Sequence, residues 1–250
     1  MSALLLPDPD EVRAFADRRE RVLARIAAAC AHAGRDPGSV ELVAVSKTVP
    51  AERLVSAIAA GLTTLGENRV QEGAAKRPFV PGARWVLVGP LQANKARRAI
   101  ETFDAIQTID SLELARRLDR IVREVRGPEA PAYPVLLQVN VDRDPAKAGF
   151  EVGEVAAALE AIAGECGALR LDGLMTIGRL VETEAEARAT FRGLRELSGA
   201  LRAAGLPIGP ELSMGMSEDY PLAVEEGATI VRVGRALFGE RAAEIGRAHV

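Results

Sequence analysis

The sequence predicts an α/β fold, a (β/α)8 TIM barrel preceded by one extra N-terminal helix. Three observations predict it. Short apolar, β-branched runs alternate with longer helical patterns, the order that βαβ units and a parallel sheet produce. Eight such runs fit within 250 residues, about the length one closed barrel of this kind occupies. No Gly-x-Gly-x-x-Gly follows the first strand, which argues against an open dinucleotide-binding sheet.

Each element has its own signal. From Asp8 to Ala33, Val12, Phe15, Val22, Ile26 and Cys30 recur at helical spacing, and Gly34 and Pro37 stop the helix. The run from Val40 to Thr48 is the first strand, ended by Pro50. Ala51 to Ala60 is a helix closed by Gly61. Leu62 to Leu65 is a strand, and Arg69 to Arg77 a helix broken by Pro78. Arg84 to Val88 is a strand ending in Gly89-Pro90, and Gln92 to Glu101 a basic helix. Phe103 to Ile109 is a strand, with Asp110 or Ser111 as N-cap of the helix to Val125. Pro134 to Val141 is a strand, Val152 to Cys166 a helix, Leu169 to Ile177 a strand and Glu184 to Ala204 a long helix. Glu211 to Met214 is a strand, Glu218 to Glu226 a helix, and Thr229 to Val233 the last strand. The first helix then covers the place of a terminal eighth helix. No linker divides the chain, so residues 1–250 read as one domain.

Composition narrows the function classes. A net charge of −3 and 4% aromatics give no electrostatic footprint or stacking platform for nucleic acid. The two cysteines, Cys30 and Cys166, lie far apart in helical surroundings and suggest reduced thiols. With His32 and His249 as the only histidines, neither a zinc site nor a Ser-His-Asp triad is expected. Acidic residues stand where a signal peptide would be basic, and no apolar run has the length of a membrane span.

The chemistry concentrates at strand ends. With a side-chain period of two, Val43, Val45 and Lys47 share one face, so an apolar face ends in an amine. In a barrel that edge carries the active site. Partial desolvation there would favour the neutral amine, which can form a Schiff base with an aldehyde; a lysine extending into water is the simpler alternative. Ser213-Met214-Gly215-Met216-Ser217 ends strand seven, where barrels often bind phosphate, although Ser217 also suits a helix N-cap. Arg232 lies between two valines in strand eight and needs a partner, either a structural carboxylate or a ligand acceptor. Gly234 permits close backbone approach. Asn68, after strand two, could meet a ligand ring or cap the next helix. Together these suit a phosphorylated aldehyde.

As a set, the motifs closely resemble the pyridoxal 5′-phosphate homeostasis proteins, relatives of the alanine racemase N-terminal barrel. They are Leu42-Val43-Ala44-Val45-Ser46-Lys47, Gly66-Glu67-Asn68 with Val70-Gln71-Glu72, and Gly89-Pro90-Leu91-Gln92 with Asn94-Lys95. Further on come Gln138-Val139-Asn140 with Lys147 and Gly149, Gly173-Leu174-Met175, Leu212 to Ser217, and Val231-Arg232-Val233-Gly234 with Phe238-Gly239. They run in order from Leu42 to Arg241. The resemblance implies pyridoxal 5′-phosphate held as an internal aldimine on Lys47. It implies that Ser213 and the backbone of Gly234 and Arg235 hold the phosphate, that Arg232 meets the pyridine nitrogen, and that Asn68 and Met175 line the ring pocket. It further implies a cytoplasmic monomer that stores, buffers or delivers the cofactor, with apo forms of enzymes using it as partners, and without clear turnover. The chain departs from the family at Trp85-Val86, at Thr176-Ile177-Gly178 and at Arg235, whose side chain must point away from the phosphate or add a charge contact. An arginine at the pyridine nitrogen makes the ring a poorer electron sink. Of the two tyrosines, Tyr133 falls at the wrong barrel end. Tyr220 falls at the right one and leaves residual racemase activity open, with a helix-surface aromatic as the simpler role. The rivals are a racemase or lyase using the same cofactor, and an aldolase-type barrel with Glu67 and Asp219 as its nearest acid/base groups.

Overall fold

The computed structural model describes residues 5–178 and 183–239; Arg241 and His249 lie outside them. Helix α1 (Pro9–His32) starts where the Asp8 carboxylate accepts the N–H groups of Asp10 and Glu11 at 2.8 and 3.2 Å, with Pro9 where no N–H is needed. Then follow β1 (Glu41–Val45), α2 (Ala51–Ala59), β2 (Thr64–Glu67), α3 (Val70–Lys76), β3 (Arg84–Leu87), α4 (Ala96–Thr102), β4 (Ala105–Ile109), α5 (Leu112–Arg126) and β5 (Tyr133–Asn140). The second half holds β6 (Phe150–Glu151), α6 (Val155–Glu165), β7 (Leu169–Met175), α7 (Glu184–Ala203), β8 (Glu211–Ser213), α8 (Tyr220–Glu225), β9 (Ile230–Val233) and α9 (Arg235–Phe238).

Eight of these strands form a closed parallel ring. The ring closes where β4 pairs with β5 (Ile106 opposite Val135) and where β1 pairs with β9 (Val43 opposite Arg232). The strand β6 is extra, two residues paired to the end of β5. Side chains alternate across the wall. Ala44, Leu65, Leu87, Leu137, Leu174 and Val231 face the helices, whereas Val43, Val86, Ala105, Leu136, Met175 and Ile230 fill the barrel. Helix α1 packs against α2, α8 and α9 and completes the helical ring, with Phe15 edge-on to Phe238 at 5.6 Å.

Several boundaries differ from the sequence expectation for physical reasons. The second strand begins at Thr64, not Leu62, because Leu62 belongs to a Schellman turn: its N–H bonds Ala57 O at 3.0 Å and the Gly61 N–H bonds Ile58 O at 2.9 Å. The basic helix expected from Gln92 opens as a 3-10 turn, Ala93–Lys95, before α4. Its arginines are matched locally, Arg97 to Glu124 and Arg98 to Glu101. Periodicity does not predict α9, a single turn opening on Gly234. Ser111, not Asp110, caps α5. Both cysteines are free and buried. Among the described residues no helix is long and apolar enough to cross a membrane, and no cluster of His, Cys, Asp or Glu could hold a metal ion.

Candidate functional site at the C-terminal mouth of the barrel

Lys47 stands two residues beyond β1, on the parity of Val43 and Val45. Its side chain is exposed, so the desolvation expected from sequence is not supplied by the barrel's own residues. Among the described residues its amine has no hydrogen bond or ion pair, which leaves it free to react. The next residue, Thr48, has φ +65°, a left-handed conformation that a β-branched side chain rarely adopts. Thr48→Gly is expected to stabilise the fold by about 1 kcal/mol in urea unfolding, since glycine adopts this conformation without the steric cost.

On the neighbouring strand β9, Arg232 points into the barrel and is almost wholly buried (4% exposed). Its Nη1 donates to Ser213 Oγ at 2.7 Å and its Nη2 to the Thr176 carbonyl at 2.8 Å. Ser213 in turn donates to Gln107 Oε1 at 2.7 Å. Burial pushes the guanidinium down to about 10, with Asp219 acting in the opposite sense, so it remains a cation at neutral pH. All of its hydrogen-bond partners among the described residues are neutral oxygens. Of the two partners the sequence left open, a structural carboxylate is therefore absent from its immediate contacts. Ser213 is fully buried and its hydroxyl is engaged on both sides, so it braces the arginine.

The hydroxyl at the mouth belongs to Ser217. It does not cap α8, whose N-cap is Asp219; it accepts the Gly234 N–H at 3.1 Å. Gly215 makes this turn possible. Its φ is +86°, and a Cβ there would lie 2.5 Å from the Ala223 side chain. Asp219 fastens the turn by accepting the Met216 N–H at 2.6 Å. The Arg235 side chain points away, pairing with Glu218 in solvent, and only its backbone N–H is left at the start of α9. Ser217, Gly234 and the Arg235 amide thus lie together beside β1 and β9.

Met175 is fully buried on the inner face of β7. Asn68 is half-buried at the end of β2 and makes no cap to α3, whose N-cap Arg69 has no side-chain bond. Its main chain lies against Gly89, where a Cβ would come 2.2 Å from the Asn68 carbonyl oxygen. Gly89→Ala is expected to displace Asn68 and to cost about 2–3 kcal/mol in urea unfolding. Glu67, one residue earlier on β2, faces outward. It is fully buried, accepts Ser46 Oγ at 2.8 Å and pairs with Lys76 at 2.6 Å. Burial pushes its carboxyl up, and Lys76 and then Ser46 pull it down.

Neither tyrosine reaches the mouth. Tyr133 begins β5 at the opposite end, its hydroxyl donating to the Phe103 carbonyl at 2.8 Å. Tyr220 is not a helix-surface aromatic. It is fully buried between α1 and α8, with the Arg25 guanidinium 5.0 Å from its ring centre. Sequence reasoning missed Gln107 as a brace, although its place in the apolar run Ala105–Ile109 marked it as a buried polar group needing a partner.

Residues 19–242 match the family model described as alanine racemase, N-terminal domain. A pyridoxal phosphate homeostasis protein of Pseudomonas aeruginosa is 42% identical over 229 residues, covering 91% of this chain and 96% of its own. The solved structure of PipY from Synechococcus elongatus, with PLP bound, is 41% identical and superposes with a TM-score of 0.77 over 90% of this chain and 100% of its own. The crystal structure of an unknown protein from Bifidobacterium adolescentis is 37% identical, with a TM-score of 0.84 over 93% of this chain and 98% of its own. Fold, ordered motifs and full-length similarity agree, and the chain belongs to the pyridoxal phosphate homeostasis proteins, barrels of the alanine racemase N-terminal-domain family.

Proposed function

We propose that this protein holds pyridoxal 5′-phosphate covalently through Lys47 and acts as an intracellular store, buffer or donor of the cofactor, not as a catalyst. The observation that carries the reading is the pairing of a free amine at the end of β1 with a buried cation on β9, Arg232, that has only neutral partners. Such a cation gains from a ligand acceptor. It suits a pyridine nitrogen, whose protonation it opposes. The bound cofactor supplies the aldehyde that captures the Lys47 amine. The Ser217 hydroxyl and the Arg235 N–H offer hydrogen bonds to its phosphate, the Gly234 backbone, whose N–H is held by Ser217 Oγ, lies against it, and Asn68 and Met175 border its ring. Ser213 contributes by fixing Arg232.

The absence of turnover is supported by where the tyrosines lie. Racemisation by two bases needs a second acid/base group opposite the lysine. Tyr220 is sealed between α1 and α8, and Tyr133 lies at the other end of the barrel. Delivery to apo-enzymes in the cytoplasm by a monomer belongs to the same reading. The test is to add the cofactor, reduce with borohydride and map the modified peptide. An adduct at Lys47, with no exchange of amino-acid α-hydrogens in heavy water, is expected. An unmodified Lys47 would overturn the attachment, and exchange abolished by Lys47→Ala would make the protein an enzyme.

A further inference from the structure

We propose that Glu67, Lys76 and Glu72 form a clamp that positions the Lys47 amine by holding the backbone on both sides of it. The inference rests on Lys47 being the attachment point. On one side, Ser46 donates its hydroxyl to Glu67 at 2.8 Å, and its carbonyl accepts Lys76 Nζ at 2.9 Å. On the other, the Thr48 N–H donates to Glu72 Oε2 at 3.1 Å. Lys76 joins the two halves, lying 2.6 Å from Glu67 and 3.7 Å from Glu72. One cation therefore ties together both carboxylates, and each carboxylate holds one neighbour of Lys47.

Two features indicate positioning and not simple stability. Glu67 is fully buried, and among the described residues its Oε2 has no hydrogen-bond partner. A buried charge cluster left partly unsatisfied is a poor way to stabilise a fold, and apolar residues of similar volume usually serve as well or better. Thr48 is held at φ +65°, a conformation that persists only where the surroundings over-determine it. The clamp supplies that constraint at the residue following the lysine. It acts from the outer layer, because Ser46 and Glu67 face the helices whereas Lys47 faces the mouth. The three charged groups are thus positioning residues.

Attachment requires the Nζ lone pair to add to the aldehyde carbon. The C–O bond then breaks and both amine hydrogens leave with the oxygen as one water. Misplacing the attacking nitrogen by an ångström slows such a step steeply without weakening contacts elsewhere in the pocket.

The test separates these two effects. Wild type, the double variant Glu67→Gln/Lys76→Met and the single variant Glu72→Gln are compared as full chains, with folding checked by thermal melting. The double variant avoids an unpaired buried charge. Two probes are used: pyridoxal 5′-phosphate, followed by absorbance and borohydride trapping at Lys47, and pyridoxamine 5′-phosphate, which fills the same pocket but has no aldehyde. The expected result is a fall of about tenfold or more in the rate of Lys47 adduct formation in the double variant, with a smaller fall in Glu72→Gln. Pyridoxamine 5′-phosphate affinity should stay within about twofold, and Lys76→Arg should restore most of the rate. Adduct formation at the wild-type rate in both variants would overturn the clamp. So would an equal loss for both probes, the mark of a general structural role. A wild-type protein that binds both probes but gives no Lys47 adduct would instead refute the attachment reading beneath it.

Discussion

Lys47→Ala is expected to abolish borohydride-stable labelling by pyridoxal 5′-phosphate and to lower its affinity by about a hundredfold, near 2.7 kcal/mol. The side chain is exposed and among the described residues makes no hydrogen bond or ion pair, so stability in urea should change by no more than about 0.5 kcal/mol. Affinity for pyridoxamine 5′-phosphate should hold within about threefold, because that ligand never uses the amine. This pattern isolates the covalent contribution. Labelling that moves to another lysine in the variant would show that the mouth captures aldehydes unselectively and that the end of β1 has no special standing.

Arg232→Met is expected to act in the opposite sense on stability and binding. The guanidinium is buried with neutral partners, so its replacement by an apolar side chain of similar length removes a desolvated charge. The Ser213 hydroxyl keeps its bond to Gln107, and one donor is lost at the Thr176 carbonyl. The melting temperature of the cofactor-free protein should therefore hold or rise. Affinity for either vitamer should fall about 10- to 100-fold, the worth of one charge-assisted hydrogen bond in a buried site. Calorimetric melting and titration of the same preparation check both halves. A variant that melts lower and binds normally would make Arg232 a structural residue with no part in recognition.

The parts of the site carried by strands were legible in the sequence. Period-two alternation places Lys47 on the face of Val43 and Val45, and the same rule turns Arg232 inward between Val231 and Val233. The two serines of the strand-seven motif are placed differently because the rule stops at the end of the strand. Ser213 keeps strand parity and is carried inside under Arg232, whereas Ser217 follows a turn set by Gly215 at φ +86° and swings to the Gly234 amide. Tyr220 could not be read locally. What buries it is α1, a partner nearly the whole chain away. Of the clamp, Glu67 falls in the legible motif Gly66-Glu67-Asn68, but a strand pattern alone does not say that α3 brings Glu72 and Lys76 back over it.

The seam between the first helix and the last strand also bears on how the molecule comes into being. Arg18 of α1 donates to the Leu237 carbonyl, 3.2 Å away in space and 219 positions away along the chain, and β1 can complete its ladder only when β9 arrives. On a ribosome adding 5–20 residues per second, that wait is roughly 10–40 s. Throughout it, the apolar stripe of α1 and one unpaired edge of β1 stand open to other chains. Pairings of such long range are also the slowest to form, because loop-closure entropy is lost before any contact is gained. The barrel thus acquires the mouth proposed to hold the cofactor, which straddles β1 and β9, only in the final act of closure, and on that reading a nascent chain cannot sequester the vitamin before its synthesis is almost done.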